Sequence, residues 1–142
     1  IYSEISTPKS LIYPHVKSAI KYLRKKKYYI AICSNKPENL IHNALNDTNL
    51  KIYFDFIIGD NKKTYPKPNP ERLEKCLSFF NVTNDQAIFI GDSKVDQDAS
   101  LKANINFIFF EGGYNDGVDK NLIKLSLKSF KQIETFFWVI HL

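Results

Sequence analysis

The sequence predicts an α/β fold built on a doubly wound, Rossmann-like parallel sheet, and three observations carry that expectation. Short unbroken apolar runs recur at Tyr28 to Cys33, Phe54 to Ile58, Ala87 to Ile90 and Ile105 to Phe110. Stretches with helical spacing separate them, near Glu38 to Leu45, Glu71 to Phe80 and Asp96 to Lys102. The runs are followed by polar or glycine-bearing residues, as in Ser34-Asn35-Lys36-Pro37 and Gly91-Asp92-Ser93. Strands covered on both faces read as continuous apolar text, and strand–helix alternation implies parallel strands joined by crossovers.

Taken in order, the first element is a helix. Val16, Ala19, Ile20 and Leu23 share one helical face, Pro14 suits the first turn, and Arg24-Lys25-Lys26-Lys27 closes the last, where cations complement the macrodipole. Strands and helices then alternate as far as Phe110. Residues 121–142 read as one or two amphipathic segments around Leu122, Ile123, Leu125, Leu127, Phe130, Ile133 and Phe136. With 142 residues, 44% of them hydrophobic, there is material for one core, and a single domain over 1–142 is expected.

Composition bounds the partners. The net charge of +5 is spread along the chain, so the one dense basic run reads as a solvated helix end and no nucleic-acid partner is expected. No stretch reaches the ~20 uninterrupted apolar residues of a membrane span, and none has the form of a targeting signal. Cys33 and Cys76 match neither a metal nor a disulfide pattern, which suits packing in a reducing cytoplasm. Methionine is absent, and Ile1 reads as an internal position of a longer chain.

In doubly wound sheets ligands bind beyond the carboxyl ends of the strands. Those ends carry Ser34, Asn35 and Lys36, then Lys67 in the next loop, then Gly91 and Asp92 with Asp96, then Gly112-Gly113-Tyr114. Singly, each has a plainer role: Asp92 and Asp96 as the start of a helix, Ser34 and Asn35 as a helix entry before Pro37, Lys67 as a solvated loop residue. Together they make a donor hydroxyl, an ammonium and a carboxylate pair on one rim. That set suits a phosphate ester with Mg²⁺, because phosphoryl transfer needs fixed positive charge and donors more than acid strength. Asp96 stands one helical turn beyond Asp92 and can support or share the metal.

The text Ser34-Asn35-Lys36-Pro37, Lys67-Pro68-Asn69-Pro70 and Ile88-Phe89-Ile90-Gly91-Asp92-Ser93 with Asp96 resembles motifs two, three and four of haloacid-dehalogenase hydrolases. Tyr53-Phe54-Asp55, Gly59-Asp60 and Gly113-Tyr114-Asn115 place the resemblance in the phosphoglycolate phosphatase-like branch, from about Leu11 to Phe136. The resemblance implies a Mg²⁺-dependent phosphomonoesterase acting on a small phosphorylated metabolite through an aspartyl-phosphate. Ser34, assisted by Asn35, would hydrogen-bond the moving phosphoryl group, Lys67 would neutralise it, Asp92 would ligate Mg²⁺ and Asp96 would complete the acidic cluster.

The family's first motif, an Asp-x-Asp-Gly on the central strand, has no counterpart here; Asp96-Gln97-Asp98 belongs to the fourth motif. The cap that usually follows is also unmatched, and residues 1–10 read as the return from it. A core without its first strand leaves two neighbours with unpaired backbone, at ~1–3 kcal/mol for each buried unsatisfied group. Low stability, and inactivity of this chain alone, are therefore expected. The alternative is a non-catalytic module that binds phosphate and Mg²⁺. A phosphate-accepting receiver shares the architecture, but would need an acidic pair after the first strand that this sequence does not show.

Overall fold

The computed structural model describes residues 2–4, 14–113 and 117–134. Its elements are β1 (Tyr2–Glu4), α1 (Val16–Lys25), β2 (Tyr29–Pro37), α2 (Glu38–Asp47), β3 (Phe56–Asp60), α3 (Glu71–Phe80), β4 (Ile88–Gly91), α4 (Lys94–Ala103), β5 (Asn106–Phe110) and β6 (Leu125–Leu127). The strands form two three-stranded ladders, β1-β2-β3 and β4-β5-β6. Every pairing is parallel, with Tyr2 opposite Tyr29, Ala31 opposite Phe56, Ile88 opposite Asn106 and Ile108 opposite Leu125. The ladders meet where β1 lies against β4.

Period-two alternation sorts the strand side chains into two cores. Ile30 and Ile32 of β2, Ile88 and Ile90 of β4, and Ile108 and Phe110 of β5 join Ile20, Ile41 and Leu45 from α1 and α2. On the opposite face Ala31, Cys33 and Phe89 meet Leu73, Cys76, Ala99 and Ala103 from α3 and α4. Helices therefore cover both faces, as the doubly wound expectation requires.

Three features differ from the sequence expectation. β2 continues to Pro37 past the expected end at Cys33, because pairing with β3 resumes at Pro37 opposite Asp60 after an irregularity. Ser34, Asn35 and Lys36 consequently lie within that last stretch of the strand. Where one or two amphipathic segments are expected from residue 121 on, the described part holds the strand β6 between single 3₁₀ turns at Lys120–Leu122 and Phe130–Gln132; residues 135–142 lie outside the described residues. Within residues 1–10, expected as the return from a cap, the described Tyr2–Glu4 forms a strand that pairs with Tyr29–Ala31. An open strand edge carries donors and acceptors that a neighbouring extended segment satisfies. Tyr114, Asn115 and Phe136 lie outside the described residues.

The basic run ends α1 as expected, and Arg24 pairs with Asp55 ahead of β3. No helix among the described residues is long and apolar enough to cross a membrane.

Distant in sequence, the two cysteines are brought together by the fold. Both are buried thiols, and burial first, then a hydrogen bond with Cys76, pushes the Cys33 thiol well above its ordinary value despite Lys67 nearby. Two consequences are measurable. An aromatic disulfide reagent at pH 8 should titrate neither thiol in the native protein and both after denaturation. Because the folded Cys33 holds its proton more tightly than the unfolded one, its contribution to stability is complete below the ordinary thiol range. That contribution is lost as pH rises above it, so Cys33→Ala should flatten the alkaline fall in melting temperature.

Candidate active site

The loop Asn61 to Pro70 carries Lys67 back beneath the end of β2. Lys67 is buried, and its Nζ donates to the Cys33 carbonyl at 2.8 Å and to Asp96 Oδ1 at 2.7 Å, while lying 5.1 Å from the centre of the Phe89 ring. Asp96 comes from the first turn of α4, whose N-cap Ser93 accepts the Asp96 N–H at 3.2 Å. The second Asp96 oxygen, Oδ2, accepts the main-chain N–H of Asp92 at 3.2 Å. One continuous chain therefore runs from the residue before Ser34, through Lys67 and Asp96, to Asp92.

This chain brings four of the sequence-predicted residues to one rim. Ser34 is fully buried at the end of β2, and its Oγ accepts the Lys36 N–H at 3.1 Å. A hydroxyl that accepts one bond keeps its own proton to donate. Asp92, at the end of β4, is buried as well. Asp96 is placed beside it, but both of its oxygens serve Lys67 and the Asp92 main chain. Its hold on any metal would act through the position of Asp92.

The side chain of Asn35 is engaged within the rim. Its side-chain amide pairs with the main chain of Lys67, with Nδ2 donating to the Lys67 carbonyl and Oδ1 accepting the Lys67 N–H, both at 2.9 Å. The amide thus imitates a strand partner and fixes the lysine backbone against β2.

Two glycines make room for the carboxylates. A Cβ at Gly113 would lie 2.3 Å from Asp92 Oδ2, and one at Gly91 would lie 2.6 Å from Asp96 Oδ2. The segment after β5 therefore presses its backbone onto the carboxylate at the end of β4, an approach only glycine permits.

Sequence reasoning missed Arg72, the second residue of α3, which is fully buried and bonds to the end of β2 and to the loop after β3. The available signal was a cation in the first turn of a helix, where the macrodipole favours acids.

The arrangement predicts two stability effects. Lys67→Met leaves Asp96 buried beside an apolar group, and breaking a buried pair this way costs about 3–5 kcal/mol, readable as a lower urea midpoint. Gly113→Ala overpacks the Asp92 carboxylate and should cost about 1–3 kcal/mol, whereas Gly117→Ala meets nothing closer than 3.6 Å and strains only its positive φ of 67°.

The family model for haloacid dehalogenase-like hydrolases matches residues 1–110. A phosphoglycolate phosphatase of Pseudomonas putida is 32% identical over 108 residues, 76% of this chain and 40% of that protein. Another from Nitrosococcus oceani is 29% identical over 119 residues, 84% of this chain and 53% of that protein. The chain thus spans about half or less of the length of these curated relatives. Among solved structures, a predicted phosphoglycolate phosphatase from Haemophilus somnus superposes with a TM-score of 0.82 at 24% identity, over 88% of this chain and 56% of that one. A haloacid-dehalogenase-superfamily hydrolase from Ehrlichia chaffeensis gives 0.78 at 27%, over 92% and 59%. Carrying the family's match over most of its length and its motifs on one rim, the chain belongs to the haloacid dehalogenase-like hydrolases, in their phosphoglycolate phosphatase-like branch.

Proposed function

We propose that this chain is the phosphate-handling part of a phosphomonoesterase that acts on a small phosphorylated metabolite and depends on Mg²⁺. The observation that carries the reading is the buried chain from the Cys33 carbonyl through Lys67 and Asp96 to Asp92, with the Ser34 hydroxyl beside its first link. Fixed charges and donors in a dry site resist reorganisation as negative charge develops, which makes them effective on a transferring phosphoryl group. Phosphoglycolate is the leading candidate substrate, since relatives carry that name. Nucleotide and sugar monophosphates follow closely.

The residues divide the work. The Ser34 O–H donates to a phosphoryl oxygen. Lys67 offsets the charge on that group while Asp96 holds its ammonium in place. Asn35 assists by fixing the Lys67 main chain. The residues also fit a hard cation, because the acceptors at the end of β4 are carboxylate oxygens and Mg²⁺ is satisfied by one or two of them plus water and substrate oxygens. Among the described residues no group of three or more His, Cys, Asp or Glu side chains could enclose a metal, so Asp92 would hold it, oriented by Asp96. When bound, Mg²⁺ supplies positive charge to the phosphate oxygens. The covalent step, an aspartyl-phosphate, calls for a carboxylate nucleophile at the central strand of the longer protein. Two buried thiols suit the reducing cytoplasm as its setting.

The protein that carries this chain should hydrolyse members of a panel of phosphoglycolate, nucleotide and sugar monophosphates with Mg²⁺ and none of them with a chelator. Asp92→Asn should lower kcat by about 10²–10³-fold, the scale seen when one preorganised electrostatic group is lost. Ser34→Ala should weaken turnover in the same direction. Unchanged turnover in Asp92→Asn would remove the metal assignment. Retention of inorganic phosphate without hydrolysis of any ester would make the module a binding one.

A further inference from the structure

We propose that Arg72 is a positioning residue whose buried guanidinium locks the Ser34 end of β2 to the Lys67 loop and so sets the width of the phosphoryl cradle. The proposal rests on the phosphate-handling reading above and adds to it a residue that none of the four strand-end motifs contains.

Arg72 has five N–H groups, and five bonds are found for them. Nη1 donates to the Ser34 carbonyl at 3.0 Å and to Asn35 Oδ1 at 3.3 Å. Nη2 donates to the Thr64 carbonyl at 3.1 Å and to Asp60 Oδ1 at 3.4 Å, and Nε donates to Thr64 Oγ1 at 2.9 Å. Two acceptors thus lie on the end of β2 and the others on the end of β3 and the loop that follows it. Asn35 Oδ1 is shared: it accepts from Arg72 and also from the Lys67 N–H. The guanidinium therefore orients the same amide that holds the Lys67 main chain.

Stability alone is a poor reason for this residue. A guanidinium taken wholly out of water loses several kcal/mol of hydration. Its ion-pair partner Asp60 stands at 3.4 Å with a side chain 46% exposed, so solvent screens much of that attraction. The cation also sits in the first turn of α3, where the helix field opposes it. What repays burial is a set of neutral acceptors spread over the end of β2 and the loop after β3. Only a planar fork reaches them together, since an ammonium brings three donors on one atom. The geometry consequently calls for arginine, and its effect is to tie two rim segments that β2–β3 pairing leaves irregular between Cys33 and Pro37.

The test compares Arg72→Gln and Arg72→Lys with wild type in the full chain, free of ligand and with inorganic phosphate. Amide hydrogen exchange is read at Lys67 and Lys36 on the rim and at Ile90 and Phe109 in the sheet. The proposal expects faster exchange at the rim amides with sheet protection unchanged, in both variants, because the lysine keeps the charge but loses the fork. It also expects inorganic phosphate to bind about 10- to 100-fold more weakly, the scale of a misplacement of about 1 Å. Wild-type exchange at Lys67 in either folded variant would overturn it, as would loss of protection across rim and sheet alike in both, which would make Arg72 a core residue. If wild type itself fails to bind phosphate while rim exchange still depends on Arg72, the functional reading falls and the positioning role stands.

Discussion

The buried contact between Lys67 and Asp96 organises the rest of the rim. An ammonium and a carboxylate at 2.7 Å, both shielded from water, tolerate neither partner's loss, because the survivor would be an uncompensated charge. Each group is then satisfied further by main chain: Lys67 by the Cys33 carbonyl and Asp96 by the Asp92 N–H. The pair thereby fastens a loop to the ends of β2 and β4, which lie in different ladders. Strand pairing alone offers no such tie between those two ends.

Around this contact a neutral amide and a second buried cation complete the site. Asn35 pairs its amide with the Lys67 backbone while its Oδ1 also accepts from Arg72, and Arg72 spends the rest of its fork on the surrounding carbonyls and side-chain oxygens. Glycines at 91 and 113 leave the carboxylates the space they occupy. These arrangements are rigid in the sense relevant to phosphoryl chemistry, since groups that are already aligned need not reorganise when charge moves.

The fold was largely legible because two periodicities were clean: apolar runs with inward alternation in the strands, and one apolar face in α1 and α2. α3 is found at the residues its pattern predicts, Glu71–Phe80. The short strands β1 and β6 escaped, since three-residue pairings leave too little pattern to separate from a loop. At the site, residue types and their order after successive strands placed Ser34, Lys67, Asp92 and Asp96 together. The bond partners were not legible: nothing local to Asn35 says that it will pair with a residue thirty-two positions away, and a buried arginine in a helix looks like any surface cation until the loops fold over it.

Main-chain anchoring has an evolutionary corollary. Lys67 grips the carbonyl of Cys33, and Arg72 grips that of Ser34, so the identities at those two positions are invisible to the grip itself. At Cys33, whose side chain packs in the core, the residue can drift to suit neighbouring helices while the cationic scaffold stays where it is; at Ser34 the hydroxyl keeps its own demand. Variation along β2 would then be decoupled from charge placement, which gives such a rim room to diversify without being rebuilt.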